Sequence, residues 1–145
     1  MSGSKKARST SARLFSVQAV YQALQTEKSP ISLVNEYLQH NVGMDLEDGE
    51  MVTPDENLFK SILSGVSNRS EELSEILKMR LATSEIDSLL KAILLCGIYE
   101  LLAHTDIDAP IIIADYLNVT HGFYAGSEAK LVNGVLDAVA KNSRS

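Results

Sequence analysis

One stretch of the sequence, residues 84–104, constrains the fold more than any other because it is apolar around much of a helical circumference. Its apolar residues recur at spacings of three and four, which is the period of an α-helix. They form two stripes, the first of Ile86, Leu89, Leu90, Ile93, Leu94, Ile98 and Leu101 and the second of Leu95, Tyr99 and Leu102. A helix that is apolar on two sides is usually packed between neighbours. The sequence therefore predicts a core built around one central helix.

The rest of the chain also has helical periodicity and helix start signals. Six further helices are predicted to begin near residues 11, 30, 54, 69, 109 and 127. The residues expected to cap these helices and the central one are Thr10 or Ser11, Ser29, Thr53, Asn68, Thr83 or Ser84, Asp108 and Ser127. The fragment PIIIA, residues 110–114, is β-prone, but no second strand is available to pair with it. The predicted fold class is all-α, with about seven short helices packed as bundles.

The last predicted helix contains an unusual pair, Asn133-Gly134. Asn-Gly is a strong turn signal, but the flanking apolar residues keep helical spacing. We therefore predict a continuous helix, in which Gly134 allows a neighbouring helix to approach closely. Asn133 is expected to make a buried hydrogen bond, with RNA contact as the alternative.

Charge divides the chain into a basic start and an acidic body. Residues 1–26 contain four bases and no acid, whereas the remaining residues contain nine bases and nineteen acids. A basic arm is a common electrostatic feature of phosphate binders, and a solvated, frayed terminus is the simpler alternative. We expect a flexible basic arm over residues 1–9, one helical domain over 10–141 and a tail over 142–145.

The sequence lacks the patterns that would indicate catalysis. The single cysteine, Cys96, lies in the most apolar stretch and is predicted to be a core thiol. The acidic segment 45–56 does not fit the register of a calcium-binding loop, and no nucleotide-binding or nucleophile motif occurs. No apolar run approaches the length of a membrane span. We expect a cytoplasmic protein that is not an enzyme and uses no cofactor or metal.

Four motifs in order along the chain resemble the NusB family. They are the AR and VQAVY elements of residues 12–21, LFKSILSGV at 58–66, KAILLCGIYEL at 91–101, and Phe123 followed by KLVNGVLD at 130–137. The resemblance extends from about residue 10 to residue 140. It implies a non-enzymatic protein of seven helices arranged as two small bundles.

The resemblance also implies partners. NusB proteins pair with NusE, a ribosomal protein of the small subunit, and the pair binds the single-stranded boxA RNA element. This complex joins RNA polymerase elongation complexes with other Nus factors and promotes antitermination on ribosomal RNA operons. The alternatives are a NusB-like accessory module, as in some RNA methyltransferases, and a self-associating protein whose homodimer covers the RNA surface. Because the matched motifs fill the chain, we expect the free-standing factor.

Family positions also suggest site residues. By this resemblance, the RNA-binding residues are Lys5, Lys6, Arg8, Arg13, Phe123, Ser127 and Lys130. Tyr99 and Glu100 are the predicted partner-binding residues, although both are also compatible with a structural role in the core. The family's arginine cluster is thinner here, since Ser9, Thr10 and Ser11 precede Arg13. The acidic loop 45–56 has no assigned role.

Overall fold

A computed structural model describes residues 4–40, 53–81 and 85–144 of the chain. These ranges contain seven α-helices and one short 3-10 helix, with no β-strand. The α-helices are α1 Lys5–Thr26, α2 Val34–His40, α3 Glu56–Asn68, α4 Ser70–Arg80, α5 Ser88–Ala103, α6 Ala109–Phe123 and α7 Glu128–Ser143, and the 3-10 helix is Pro30–Leu33. The predicted all-α class is confirmed, and the PIIIA fragment lies in the first turns of α6.

Helix α5 is the centre of the structure, as its two apolar stripes predict. It packs against α1, α3, α4, α6 and α7, and every residue from Ala92 to Leu101 is buried. On one side, α1 packs with the 3-10 helix, α2 and α3; on the other, α6 and α7 pack together against α5. The contact between α1 and α5 joins these two groups of helices.

Three helices, α1, α3 and α5, begin with a side-chain N-cap, and in each the capping residue differs from the one predicted. Ser4 Oγ accepts from the Ala7 amide at 3.1 Å, Asp55 Oδ1 from the Leu58 amide at 3.0 Å, and Asp87 Oδ1 from the Leu90 amide at 2.8 Å. Each satisfies one of the amides that a helix start leaves unpaired. Asn68 is instead the last residue of α3, and Ser127 flanks α7 without a side-chain capping bond. Thr83 and Ser84 lie outside the described residues, as does most of the acidic segment 45–56.

The expected arm and tail are more ordered than predicted. Helix α1 begins at Lys5, because Ser4 caps it and because Arg8 is hydrogen-bonded to Thr53 and Asp55, just before α3. Arg8 Nε donates to the Thr53 carbonyl at 3.2 Å, and the Arg8 carbonyl accepts from the Asp55 amide at 3.0 Å. The prediction of a flexible arm was therefore wrong for residues 5–9.

At the other end, α7 continues to Ser143. The Arg144 guanidinium then donates to the carbonyls of Leu101, His104 and Ile107 at 2.6–3.0 Å. These carbonyls lie at and beyond the end of α5, where unpaired acceptors favour a cation. The predicted tail 142–145 is thus largely part of the packed domain.

The single cysteine lies in the core of the central helix. Cys96 is fully buried, and burial, followed by the nearby charge of Glu100, raises its pKa well above the usual value. It is a protonated core thiol, as predicted. Within the described ranges, no helix combines the length and apolar character that crossing a bilayer requires.

Close packing against a glycine occurs at positions other than the predicted Gly134. A Cβ at Gly134 would meet no other atom within 4 Å, and both Asn133 and Gly134 are exposed. The predicted close approach and buried hydrogen bond were wrong, although α7 is continuous through the pair. Close approaches occur instead at Gly65, where a Cβ would overlap the Tyr99 ring, and at Gly97, where it would lie 2.9 Å from Leu136.

These glycines give a matched pair of predictions. Gly65→Ala should lower the free energy of unfolding by about 1–3 kcal/mol, because its methyl group overpacks against Tyr99. Gly134→Ala should raise it by up to about 1 kcal/mol, because alanine stabilises an exposed helix position that has free space. Urea titrations followed by circular dichroism measure both changes, and destabilisation by Gly134→Ala would contradict the open environment of that residue.

Candidate nucleic-acid interface

A cleft between α1 and α6 is lined by one of the predicted RNA-binding residues, Phe123. It has a volume of about 310 Å³ and is lined by Thr10, Leu14, Gln18, Asn118, Val119, Gly122 and Phe123. The three α1 residues are four positions apart, so they share the outward face of that helix. We call this surface the α1–α6 cleft.

The first turns of α1 carry cations one helical turn before the cleft residue Thr10. Lys5 and Lys6 are exposed, and Thr10 Oγ1 lies 3.1 Å from the Lys6 carbonyl, which links this turn to the cleft wall. Neither lysine pairs with a carboxylate among the described residues. Arg8 is half-buried and partly engaged by Thr53, so its remaining guanidinium donors are the ones available to a ligand.

The last two residues of α6, Gly122 and Phe123, line the cleft just before the connection to α7. Phe123 is 43% exposed, which leaves much of an aromatic ring open to a ligand. Ser127 and Lys130 follow at the start of α7, and both are exposed. The next residue after Phe123, Tyr124, anchors this connection through a 2.6 Å hydrogen bond from its hydroxyl to Asp87 Oδ1.

Arg13 has a different position from the one predicted. It is only 3% exposed, and its guanidinium is occupied by two carboxylates. Nε and Nη2 donate to the two oxygens of Glu100 at 2.7 and 3.0 Å, and Nη1 donates to Asp115 Oδ2 at 2.8 Å. Burial lowers the pKa of Arg13, but the hydrogen bond and the charge of Glu100 outweigh it and raise the pKa overall. The predicted direct contact with an RNA phosphate is at odds with this geometry, so we assign Arg13 a structural role.

Glu100 is the acceptor at the centre of this buried network. It is fully buried and also accepts a hydrogen bond from the Tyr116 hydroxyl at 2.6 Å. His104 Nδ1 lies 2.8 Å from Glu100 Oε1, and His104 Nε2 lies 2.9 Å from Ser61 Oγ. Burial would raise the pKa of Glu100, but hydrogen bonds from His104 and Arg13 lower it below the usual value. The carboxylate is therefore ionised, and His104 Nδ1 is the donor in their hydrogen bond.

The two residues predicted to bind a partner are both internal. Glu100 is enclosed as described, and Tyr99 is 9% exposed. The Tyr99 ring packs over Gly65 and makes an edge-to-face contact with His104 at 5.4 Å between centroids. Neither side chain is available to a partner in this structure, which supports the structural role in the core for both residues.

Sequence reasoning missed the α6 side of the cleft and the role of Asp115. Asn118 and Val119 carry no recognisable motif, so only their position beside α1 identifies them. Asp115 pairs with Arg13 and also lies 3.2 Å from Thr10 Oγ1. One signal for the buried network was present in the sequence, since a carboxylate at position 100 in a strongly apolar helix needs polar or charged partners when it is buried.

The buried ion pairs predict a large effect of removing Arg13. Arg13→Ala leaves Glu100 and Asp115 buried without their cation, and the free energy of unfolding should fall by about 3–5 kcal/mol. Arg69→Ala is the matched control, because Arg69 makes a similar 2.8 Å pair with Glu72 on an exposed helix surface. Its effect should be far smaller. Equal effects in urea titrations of the two variants would contradict the structural role of Arg13.

The lowered pKa of Glu100 predicts an acid-sensitive fold. A carboxyl group whose pKa is lower in the folded state stabilises the fold above its ordinary pKa, and this stabilisation is lost as the pH falls toward the folded value. The free energy of unfolding should therefore decrease from pH 6 to pH 3, about the range in which a carboxylate protonates. Glu100→Gln should be less stable at neutral pH and show a shallower decline, whereas Glu75→Gln, at an exposed site, should retain the original decline.

The described fold and surface define a class of protein: a small all-helical protein with an exposed aromatic ring at a cleft between two helices and exposed lysines in the first turn of one of them. The comparisons with known proteins identify the family within that class. The NusB family matches residues 10–141, and the chain belongs to the NusB family of transcription antitermination proteins.

Relatives support this assignment over nearly the whole length. The chain is 41% identical to the transcription antitermination protein NusB of Novosphingobium aromaticivorans, with 97% of each chain covered. It is 38% identical to that of Sphingopyxis alaskensis, again with 97% of each covered, and 35% identical to that of Sinorhizobium medicae, with 92% of this chain and 86% of the relative covered. The solved structure of T. maritima NusB has the same fold, with a TM-score of 0.75 and 18% identity over 97% of this chain and 93% of that one.

Proposed function

We propose that this protein binds boxA-type single-stranded RNA together with NusE and thereby promotes antitermination on ribosomal RNA operons. In this role it is a binding factor rather than an enzyme, and it works in the cytoplasm with RNA polymerase and other Nus factors. The observation that carries the RNA part of the proposal is the α1–α6 cleft, which is lined by the exposed Phe123 and lies one helical turn beyond the exposed lysines of α1.

The charges around the cleft suit an RNA backbone. The whole chain has a net charge of −6, so a general attraction to RNA is absent and binding depends on local cations. Lys5 and Lys6 on α1 and Lys130 on α7 are exposed and have no carboxylate partner among the described residues. Each phosphate that such a lysine neutralises releases condensed counterions, which makes binding favourable and sensitive to salt.

The cleft itself suits unstacked bases. Its floor is apolar, formed by Leu14 and by Val119, which is 6% exposed. Phe123 offers an open ring on which a base can stack. The amides of Gln18 and Asn118 border the same cleft and can donate to and accept from the edges of a base. Ser127, whose side chain makes no capping bond, leaves the start of α7 open to a phosphate.

Arg13 has an indirect part in this proposal. Its pairs with Glu100 and Asp115 hold α1 against α5 and α6, so it fixes the two walls of the cleft without touching the RNA. Pairing with NusE rests on family membership, and the buried positions of Tyr99 and Glu100 direct the search for that contact to other surfaces.

Fluorescence anisotropy with a boxA-type RNA tests the cleft. The double variant Lys5→Gln/Lys6→Gln should bind more weakly, and its plot of log K against log salt should flatten by about 1.4, since each phosphate contact on single strands contributes about 0.7. Phe123→Ala should lose about 1–3 kcal/mol of binding free energy, the usual contribution of one stacked base. Lys78→Gln, at an exposed site on α4, is the control and should bind as the wild type does.

The same assay distinguishes the alternatives. Addition of NusE should tighten RNA binding, and an affinity that ignores NusE would contradict the cooperative role. A self-associating protein whose homodimer covers the cleft would instead bind RNA more weakly as its own concentration rises. Light scattering over the same concentrations detects that dimer, and a monomer throughout removes this alternative.

A further inference from the structure

A second cavity lies on a different face of α1 from the cleft. It has a volume of about 280 Å³ and lies between the end of α1, the 3-10 helix, α3, α4 and α5. Val20, Ala23 and Leu24 are its α1 residues, whereas Thr10, Leu14 and Gln18 form the α1 wall of the cleft. We call it the serine–lysine cavity after its polar residues, which are Lys28, Ser29, Ser67, Ser70, Ser74 and Lys91.

The two lysines are the first reason to expect an anion there. Lys28 is exposed and Lys91 half-buried, and neither forms an ion pair with any described carboxylate. No acidic residue is among those that line the cavity, although the chain has nineteen acids against thirteen bases. Two like charges beside one cavity repel each other, so an anion between them would relieve that repulsion as well as pair with both.

The serines supply hydroxyl groups at the same cavity. Ser67 Oγ is already engaged, since it accepts from the Ile31 amide at 2.8 Å and lies 3.1 Å from Ser29 Oγ. The hydroxyls of Ser70 and Ser74 make no hydrogen bond to another described residue. They are one turn apart on α4, so both can donate to one ligand. Glu71 and Glu72 lie in the first turn of this helix but do not line the cavity, and Arg69 neutralises Glu72 through a 2.8 Å pair.

The rest of the cavity is apolar. Ala23, Val66 and Leu95 are 1%, 2% and 4% exposed, and they line it together with Val20, Leu24 and Pro30. A free inorganic ion would leave this surface uncovered, whereas a ligand with an uncharged portion would cover it. The volume is near the lower end of the range for small-molecule sites.

We propose that the serine–lysine cavity binds a small phosphate monoester, with its phosphate between Lys28 and Lys91 and its uncharged part against the apolar wall. A monoester carries close to two negative charges and three terminal oxygens, which match two ammonium groups and the hydroxyls of Ser70 and Ser74. A phosphodiester in an RNA backbone carries a single charge and matches them less well. The cavity shares no lining residue with the α1–α6 cleft, so this proposal does not depend on the proposed RNA surface.

Isothermal titration calorimetry on the full chain tests this site with three probes: AMP, inorganic phosphate and adenosine. AMP should bind most tightly, because it alone has both the phosphate and an uncharged portion that can cover the apolar wall. Lys28→Gln and Lys91→Gln should each weaken AMP binding by about tenfold, the loss expected for one charge-assisted hydrogen bond. Lys60→Gln, at an exposed lysine of α3 that pairs with Glu56, is the matched control and should leave AMP binding unchanged.

Four results would overturn the proposal: no saturable binding of AMP, equal binding of AMP and adenosine, AMP binding that is indifferent to both lysines, or AMP binding that is lost in Lys5→Gln/Lys6→Gln. The last would move the ligand to the RNA surface. Lys28 is exposed and its variant should fold normally, so the test does not depend on Lys91→Gln remaining folded. A variant at Lys28 that loses AMP but keeps RNA affinity supports two separate sites.

Discussion

The bidentate pair between Arg13 and Glu100 is the interaction on which the rest of the structure depends. With the further bond from Arg13 to Asp115, one guanidinium joins α1, α5 and α6 at their centre. Taking three charged groups out of water is costly, and the geometry offsets that cost by satisfying their hydrogen-bonding groups. Tyr116 and His104 contribute two more donors to Glu100, so the excess negative charge of the network is spread over several hydrogen bonds. Alternative packings of α1 on α5 would break this arrangement, which fixes the register of the two helices.

The same network determines what α1 presents outward. Once Arg13 is fixed on the inner face, the directions of the other α1 side chains are set by helical geometry. Thr10 belongs to both regions, because its hydroxyl lies 3.2 Å from Asp115 and its side chain lines the α1–α6 cleft. The walls of the cleft are thus two helices joined by a buried ion pair, and a site on rigid helices holds its groups more accurately than one on loops.

The sequence was sufficient for the helices and insufficient for the polar core. Apolar spacing alone identified α5 as central, because a helix that is apolar on two sides has to be covered on both. Arg13 was misjudged because it follows a basic segment, where an arginine is normally exposed, and because its partners lie 87 and 102 residues away in the chain.

Gly134 was misjudged because a local feature was given too much weight. Its poor helix propensity suggested a packing requirement, but that requirement belongs to Gly65 and Gly97, which have no distinguishing neighbours in the sequence. Phe123 and the lysines at positions 5, 6 and 130 are exposed, and the RNA contacts expected of them from the family resemblance stay predictions.

The arginines and lysines of the chain differ in their contacts, and this difference matters for the proposed recognition of RNA. Four of the five arginines hydrogen-bond within the described chain: Arg8, Arg13, Arg69 and Arg144. A planar guanidinium with several fixed donors is well suited to such internal contacts. The cations left at the proposed RNA surface are mainly lysines, whose mobile ammonium groups attract phosphates but read no sequence. Under the proposed function, selectivity for a boxA sequence would come from the cleft residues that can meet bases, the Phe123 ring and the amides of Gln18 and Asn118, or from the partner protein. A surface in which lysines supply affinity and a short cleft supplies selectivity has a physical reason to work in a pair rather than alone.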